Sequence, residues 1–343
     1  MKKILFIILL TAGLFSCHNF NKEFPDYLFT SGYFPYQYPV RTIVLGNYIY
    51  DNTNDNNHNF LISAALGGIY DNVKDRVFNI ELAPTLCNRV LFAATKDTIK
   101  LMPPAYYTLS SANQLVVPKG KVNGGIQVHL TDAFFNDPKA VKMTYVIPVR
   151  MVSSADVDTI LRGTSAKANP DPRVSTAGEW NIVPKDFTMF AVNYINQYHG
   201  TYLHRGVITT KNASGTVVET IPYRTKYIEN NELWKMTTSA FKTVQLTGGT
   251  TGTHSTLVPG TLKMDLTFKD DGTCTIAQST GSTFTITGTG NFVTGGDNWG
   301  NEPRDAIYVK YQFTSGVYTI NATDTLVIRD RAVVMNLFTP QVY

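Results

Sequence analysis

Two tryptophans lie in polar surroundings whose composition is typical of sugar-binding sites. Trp234 lies in NNELWKM, and Trp299 lies in GGDNWGNEPRD. Sugar rings present apolar C–H faces that stack on flat aromatic side chains, while polar neighbours bind the hydroxyl groups. Near Trp299 the chain offers Asn298, Arg304 and Asp305 as such neighbours. These five residues are the candidate ligand-binding set. The alternative is that both tryptophans close the core of a β-barrel.

A tyrosine-rich run, YFPYQY at 33–38, has the same mixed composition and is a further candidate for carbohydrate stacking. Single aromatic residues of this kind also pack beneath loops and linkers. The run alone does not separate these two interpretations.

The metal-binding residue types do not form a known motif. The run DNTNDNNHN at 51–59 has oxygen ligands at alternate positions, but it lacks the glycine of a calcium loop, and Ile62 replaces the bidentate glutamate. A polar hairpin loop is the alternative. His199 and His204 are the closest pair of histidines, and no second pair joins them in sequence. We therefore expect no metal site.

Catalytic motifs are also lacking. The sequence contains neither a G-x-S-x-G nucleophile elbow nor a phosphate-binding loop ending in Gly-Lys-Ser/Thr. Glycoside hydrolysis needs two carboxyl groups on opposite sides of the scissile bond. Asp156 and Asp158 come nearest to an acidic cluster, but they fit better in the first turn of a short helix over 154–161. No catalytic residue and no cofactor are predicted.

The N-terminus has the features of an export signal. Lys2 and Lys3 precede an apolar run at 4–10, which is too short to span a bilayer. The run leads to LFSC at 14–17, with leucine three positions before the cysteine and a small serine directly before it. This resembles a bacterial lipobox and predicts removal of residues 1–16 and lipidation of Cys17. A multiply acylated cysteine is a stable membrane anchor. An ordinary secretory signal is the alternative.

Charge and composition describe the mature chain. The formal net charge is +4, and removal of Lys2 and Lys3 leaves +2 (4 minus 2), which does not indicate a nucleic-acid partner. With 43% hydrophobic and 16% charged residues in 343, the chain is able to bury two cores. Cys87 and Cys274 are far apart in sequence, which favours buried free thiols over a disulfide.

Alternating apolar and polar residues predict an all-β protein. The clearest strand spans 261–269, where Leu262, Met264, Leu266 and Phe268 share one face. A DDG turn then returns the chain as a hairpin. The alternation recurs at 306–313, with a neighbouring strand at 325–330. In the first half, strands are predicted at 40–45, 60–66, 77–82, 126–130 and 144–152, a spacing that suits a sandwich.

The two halves are separated by a polar segment. Residues 162–180 contain prolines, glycines and small polar residues with little apolar material, as an exposed linker does. The boundary between the domains is expected within this segment.

Several stretches carry a resemblance to a known family: NFLISAALGGIYDN with VFNIEL, ADVDTILRG, EWNIVPKDFTMFAVNYINQYHGTYLHRG, and NWGNEPRDAIYVKYQF with DTLVIRDRAVV. Together they resemble a two-domain lipoprotein family encoded in starch-utilisation-type (Sus-type) glycan uptake loci of gut bacteria. Its N-terminal domain is similar to the β-sandwich that precedes the catalytic barrel in some family-18 endo-β-N-acetylglucosaminidases. Its C-terminal domain is similar to a lipocalin-like β-barrel of uncharacterised function.

The resemblance implies an Ig-like β-sandwich over 17–160, a linker over 161–184 and a lipocalin-like antiparallel barrel over 185–343. It further implies a glycan-binding accessory lipoprotein of the outer membrane, beside a transporter and its partner binding lipoprotein, with host N-glycans as one class of ligand. A family-18 barrel would alternate strands and helices, and the second half does not. Surface-directed lipoproteins of this kind carry an acidic cluster after the cysteine, whereas HNFNKEF at 18–24 has only Glu23, so exposure at the cell surface stays open.

Two other functions remain open at this stage. A glycoside hydrolase on an unfamiliar scaffold would need a carboxyl pair facing across a cleft. A purely structural subunit of the transporter complex would have buried aromatic residues and no groove.

Overall fold

The computed structural model describes residues 28–331 and 333–343, so Cys17 and the export signal lie outside the described residues. The protein is almost entirely β-structure, with 7% of residues helical, as the sequence predicts. Among the helices of these ranges, none is long and apolar enough to cross a membrane.

Residues 28–195, which form most of the first domain, contain twelve strands, two short α-helices and three 3₁₀ turns. Its strands are β1 (Ser31–Tyr33), β2 (Pro39–Val44), β3 (Asn59–Gly67), β4 (Arg76–Leu82), β5 (Val90–Phe92), β6 (Lys100–Leu101), β7 (Tyr107–Leu109), β8 (Gln114–Val117), β9 (Asn123–Leu130), β10 (Tyr145–Ser153), β11 (Thr159–Ile160) and β12 (Phe187–Ile195). The helices are α1 (Thr53–Asn56) and α2 (Asp132–Phe135), and the 3₁₀ turns are Pro84–Cys87, Pro104–Tyr106 and Pro138–Val141.

The second domain and the C-terminal tail supply the remaining elements. Its strands are β13 (Gly200–Lys211), β14 (Val217–Tyr223), β15 (Glu232–Ala240), β16 (Thr243–Gly249), β17 (Met264–Phe268), β18 (Thr273–Gln278), β19 (Thr285–Trp299), β20 (Glu302–Ser315) and β21 (Tyr318–Asp330). A 3₁₀ turn at Ile228–Asn230 precedes β15, and the tail forms β22 (Asn336–Leu337) and β23 (Pro340–Val342).

The first domain is sandwich-like and is built on one hydrogen-bonded path of strands. The order is β11-β1-β3-β9-β8-β4-β10-β12-β2-β22, with β6 on β10 and β7 on β9. All five strands predicted in this half are present. Their inward residues form one core, in which Phe34, Phe78, Ile126, Ile147 and Tyr194 are at most 1% exposed. Burying a side chain of this size stabilises the fold by ~1.5–3 kcal/mol.

The second domain is a closed antiparallel barrel of eight strands. The sheet runs β13-β15-β16-β17-β18-β19-β20-β21, β21 pairs back onto β13, and β14 adds a ninth strand alongside β13. The predicted face of Met264, Leu266 and Phe268 is buried inside, and the DDG turn places Phe268 opposite Cys274. The closed eight-stranded barrel fits the lipocalin-like architecture.

The predicted free thiols are confirmed. Cys87 and Cys274 are both buried and unpaired, one in each domain. Burial raises the pKa of each thiol to about 12, so both are protonated and unreactive at neutral pH.

The division between the domains differs from the expected one. Strand β12, which was expected in the C-terminal domain, pairs with β10 and β2 of the first sheet. The tail strands β22 and β23 also return to this domain, onto β2 and β5. The first domain therefore runs to residue 195 and includes the C-terminus. The polar composition at 161–184 marks a surface excursion, closed by a bridge between Thr164 and Ile182, rather than the passage between domains.

The expected helix over 154–161 is replaced by a bend that leads into β11. The side chains that were expected to cap it bond to a neighbouring strand. Ser154 Oγ donates to the carbonyl of Val77 at 2.7 Å, and Asp156 Oδ2 accepts from the amide of Val77 at 3.0 Å. Asp158 accepts from the amide of Thr30 at 2.7 Å. Long-range hydrogen bonds thus override the local helix signal.

Candidate functional site

Two neighbouring cavities share lining residues, and the smaller of them lies where the first domain meets the barrel. The smaller cavity, of about 460 Å³, lies between the 46–50 loop and the ends of strands β20 and β21. The larger, of about 720 Å³, lies over the first sheet and beneath the 333–335 segment. Both are lined by Tyr48, Tyr50 and Val333. Because the two cavities share these residues, we call them together the interdomain groove.

Tyrosines dominate the aromatic lining of this groove. Tyr33 and Tyr36, from the predicted tyrosine-rich run, line the larger cavity together with Phe190. Tyr50 is 69% exposed and Tyr36 is 49% exposed. Tyr48 packs edge-on against Tyr50, with ring centres 5.6 Å apart. Exposed phenol rings in a concave space offer apolar faces and hydroxyl groups together, which suits an amphipathic ligand.

The loop that carries Tyr48 and Tyr50 is held by local side chains. Asn52 Nδ2 donates to the carbonyls of Val44 at 2.8 Å and Gly46 at 2.7 Å. Gly46 has φ +82°, and a Cβ there would lie 2.3 Å from the Cβ of Gln197 at the start of the barrel. Only glycine fits both this conformation and this close approach between the domains.

The 51–59 run forms α1 and its flanks, and its central carboxylate has a structural role. Asp55 is buried, accepts a hydrogen bond from the amide of Val44 at 2.8 Å, and pairs with Arg41. Burial raises the pKa of Asp55, against the opposing effects of Val44 and Arg41. Its oxygens are thus engaged within the protein.

A buried arginine joins the two domains behind the groove. Arg331, 7% exposed, donates to the carbonyls of Leu45 at 2.6 Å, Asn47 at 3.0 Å and His199 at 3.1 Å, and also to that of Asn196. Burial lowers the pKa of this guanidinium. Since the acceptors come from both domains, the contact fixes their relative position.

The predicted residues around Trp299 lie at one end of the groove. Arg304 and Asp305 line its smaller cavity. Arg304 lies over the Trp299 ring, 5.2 Å from its centre, and its Nε donates to the Trp299 carbonyl at 3.3 Å. Asp305 accepts from the amide of Gly295 at 3.0 Å. Trp299 is half-buried and Asn298 is exposed at the hairpin end, and neither lines the groove itself.

Trp234 differs from the sequence-based expectation. It is 0% exposed, and its Nε1 donates to the carbonyl of Thr250 at 2.8 Å inside the barrel. Its indole stacks on the imidazole of His204, with ring centres 3.9 Å apart. No ring face is left for a sugar. Of its polar neighbours in β15, Lys235 is exposed on the opposite face, whereas Glu232 lies on the same face as Trp234 and contacts buried polar groups of the barrel.

Trp234 covers a polar group of four residues, which we call the barrel cluster: His204, Glu232, His254 and Asp324. His204 Nε2 lies 2.9 Å from Asp324 Oδ2, and both side chains are fully buried. His204 Nδ1 lies 3.7 Å from Glu232 Oε2, too far for a hydrogen bond. His254 Nε2 lies 2.8 Å from the same oxygen.

The barrel cluster is held by aromatic hydroxyls and by close backbone packing. Tyr223 and Tyr311 both donate to Asp324, the latter at 3.0 Å. A Cβ on Gly206, opposite Asp324 in the ladder, would lie 2.1 Å from its Oδ1. Burial lowers the pKa of His204, but the carboxylates of Asp324 and Glu232 outweigh this effect and raise the pKa overall. The neighbouring imidazoles of His204 and His254 lower the pKa of Glu232.

Sequence reasoning did not find the barrel cluster. His254, Glu232 and Asp324 are separated from His204 by tens of residues, and only strand pairing brings them together. The available signal was register: His204 lies directly opposite Glu232 between β13 and β15. That register becomes visible only when the barrel is closed.

Comparisons with known proteins place this two-domain β-protein in a family. A family model described as a domain of unknown function (DUF5627) matches residues 197–332. A second model, described as an N-terminal domain, matches residues 26–158. A Bacteroides ovatus protein of unknown function is 34% identical with a TM-score of 0.83, covering 93% of this chain and 100% of that one. The chain belongs to the family of this Bacteroides ovatus protein.

Other solved structures are more distant. A multidomain Bacteroides ovatus protein including DUF1735 is 12% identical with a TM-score of 0.41, covering 89% of this chain and 97% of that one. Another Bacteroides ovatus protein of unknown function is 13% identical with a TM-score of 0.38, at the same coverages. A search of curated proteins found no match.

Proposed function

We propose that the protein is a glycan-binding accessory lipoprotein of a carbohydrate uptake system, anchored to the outer membrane through Cys17. The observation that carries the proposal is the interdomain groove, where exposed tyrosines line a concave space with charged and amide side chains among them. Stacking on the phenol rings supplies affinity for sugar faces, and polar groups such as Arg304 and Asn47 select among hydroxyl patterns.

The size of the groove favours an oligosaccharide over a single sugar. Its two cavities, of about 460 and 720 Å³, each exceed the volume of one sugar ring and share the tyrosines Tyr48 and Tyr50. Each stacking contact contributes ~1 kcal/mol, and half-exposed tyrosines retain water on one face. Binding is therefore weak, reversible and additive over sugar units, as suits a protein that passes its ligand to a transporter.

Binding is favoured over hydrolysis by the surroundings of the groove carboxylates. Asp305 accepts hydrogen bonds from Asn47 and the Gly295 amide, and Asp330 pairs with Arg329 at 3.0 Å. Glycoside hydrolysis needs two carboxyl groups that act on opposite sides of the scissile bond, whereas these carboxylates are already engaged within the protein. The groove thus resembles a recognition surface more than a catalytic cleft.

The test uses protein that begins after Cys17. A glycan array containing host N-glycans and plant polysaccharides, followed by calorimetry on the positives, should give saturable binding to at least one oligosaccharide. The ligand should be recovered unchanged after long incubation. Cleaved product would support the hydrolase. A wild-type protein that binds nothing but co-purifies with an outer-membrane transporter would support the structural subunit.

A further inference from the structure

The barrel cluster presents three metal-ligating atoms to one point. His204 Nδ1, Glu232 Oε2 and His254 Nε2 all lie within 4.8 Å of one another. Zinc sites hold their ligands at ~2.0–2.2 Å from the ion, which places tetrahedral ligands ~3.4 Å apart, so the widest pair here closes by about 1 Å when the ion binds. We propose that His204, Glu232 and His254 form a binding site for a divalent transition-metal ion of the Zn²⁺ type. The site is independent of the interdomain groove.

The ring orientation of His204 exposes a lone pair toward this point. Asp324 is fully buried and already accepts from two tyrosine hydroxyls, so it takes the Nε2–H of His204 as an acceptor. In the neutral imidazole the proton then resides on Nε2, and the lone pair of Nδ1 is free to coordinate a metal. Nδ1 has no hydrogen-bond partner among the described residues, although His204 is 0% exposed. A carboxylate behind a histidine ligand is the usual support of a zinc site.

The charges of the barrel cluster also favour a cation. Among the ion pairs of the described part of the chain, Glu232 and Asp324 meet only imidazoles. One divalent ion neutralises the two carboxylates while both histidines stay neutral. On binding, the proton between His254 Nε2 and Glu232 Oε2 moves to His254 Nδ1, so that the imidazole stays neutral and its Nε2 lone pair coordinates the metal.

The ligand set selects the class of ion. Two imidazole nitrogens with one carboxylate suit Zn²⁺ and its neighbours, whereas Ca²⁺ and Mg²⁺ require oxygen ligands. Stacking on Trp234 and Tyr223, with ring centres 3.9 Å apart in both cases, fixes the two imidazoles. The Glu232 side chain is 35% exposed, so the ion has a path from solvent and a fourth position for water.

The first test measures zinc content and affinity. Tag-free protein is stripped with a chelator, dialysed and titrated with Zn²⁺ by calorimetry, with bound metal counted by mass spectrometry. One ion per chain and a rise in melting temperature are expected. His254→Ala and Glu232→Gln should weaken binding by about 100-fold or more. His129→Ala, an exposed histidine of the first domain, should change nothing. Zinc binding that is absent in the wild type, or unchanged in His254→Ala, overturns the proposal.

A second test reads out the coordination directly, first in the wild-type protein. Co²⁺ added to the stripped wild-type protein should give the intense visible absorption of a four-coordinate site, and Zn²⁺ should abolish it. Ca²⁺ and Mg²⁺ should not compete. Asp324→Asn should weaken Zn²⁺ binding by about 10–100-fold without changing the stoichiometry. A weak octahedral Co²⁺ spectrum, or displacement by Ca²⁺, contradicts the assigned ligands.

Discussion

The carboxamide of Asn47 and the carboxylate of Asp305 meet across the domain boundary, with Asn47 Nδ2 3.2 Å from Asp305 Oδ2. Asn47 belongs to the 46–50 loop of the first domain, and Asp305 belongs to barrel strand β20. Arg331 fixes the same loop from behind, through the carbonyls of Leu45 and Asn47. The groove walls are therefore positioned before any ligand arrives, which spares the ordering entropy of binding.

Arg331→Ala should destabilise the protein strongly. The substitution removes a buried guanidinium and leaves its carbonyl acceptors unsatisfied, which costs about 3 kcal/mol. Urea unfolding at pH 7 measures this change. The matched control is Arg329→Ala, which removes a half-exposed pair with Asp330 and should cost less than about 0.5 kcal/mol. Equal losses in the two variants would show that Arg331 does not join the domains.

Acid should destabilise the protein through His199. Burial, followed by the charges of Arg331 and Lys235, lowers the pKa of His199 to about 4, and its Nδ1 accepts from the Thr238 amide at 3.0 Å. The folded protein thus favours the neutral imidazole, and the unfolded chain, with a pKa of ~6.5, takes up the proton first. The stability that the neutral imidazole contributes is fully present above pH ~6.5 and is lost as the pH falls from there through 4. The contribution is on the order of 3 kcal/mol.

The control for this pH effect is His199→Asn, whose side-chain oxygen still accepts from the Thr238 amide but does not titrate. Its free energy of unfolding should fall less than that of the wild type between pH 7 and pH 4. Parallel profiles would assign the acid sensitivity to other groups.

Gly206→Ala should damage the barrel cluster. The added methyl group would lie 2.1 Å from Asp324 Oδ1 and 2.6 Å from the carbonyl of Thr323, so Asp324 must move. Such overpacking costs about 1–3 kcal/mol, measured by thermal unfolding. Gly178→Ala is the control, because nothing lies within 4 Å of a Cβ there. Equal melting temperatures for both variants would contradict the described packing.

Trp234→Phe should lower stability and leave glycan affinity unchanged. The variant loses the hydrogen bond to the Thr250 carbonyl and part of the buried ring, a loss of about 1–3 kcal/mol in the free energy of unfolding. Calorimetry with the oligosaccharide identified on the array checks the second part. A loss of affinity at full folding would return Trp234 to the ligand-binding set.

The strands were predictable because half-buried strands alternate. Leu262, Met264, Leu266 and Phe268 mark a face directly, and the barrel buries that face. The domain boundary was not predictable in this way. Strand β12 is buried on both faces, so its sequence does not reveal which sheet it joins. The polar run at 161–184 does not mark the boundary either, because interdomain linkers and surface loops have the same composition.

The candidate site was predictable only in part. Arg304 and Asp305 line the groove, but their partners Tyr48 and Tyr50 come from a loop some 250 residues earlier. Composition also fails to separate Trp234, which is buried, from Trp299, which is half-buried, because both have polar neighbours. Which face of a strand is buried depends on barrel closure, a long-range property.

Calorimetry on Tyr50→Ala is the most direct test of glycan binding in the interdomain groove. Tyr50 is 69% exposed, so the variant should fold as the wild type does. Loss of one stacking ring, worth ~1 kcal/mol, predicts about fivefold weaker oligosaccharide binding. Tyr227→Ala removes a tyrosine that is 54% exposed and lies outside the groove, and it should bind as the wild type does. Equal affinities for Tyr50→Ala and the wild type, or a loss in Tyr227→Ala alone, would contradict glycan binding in the groove.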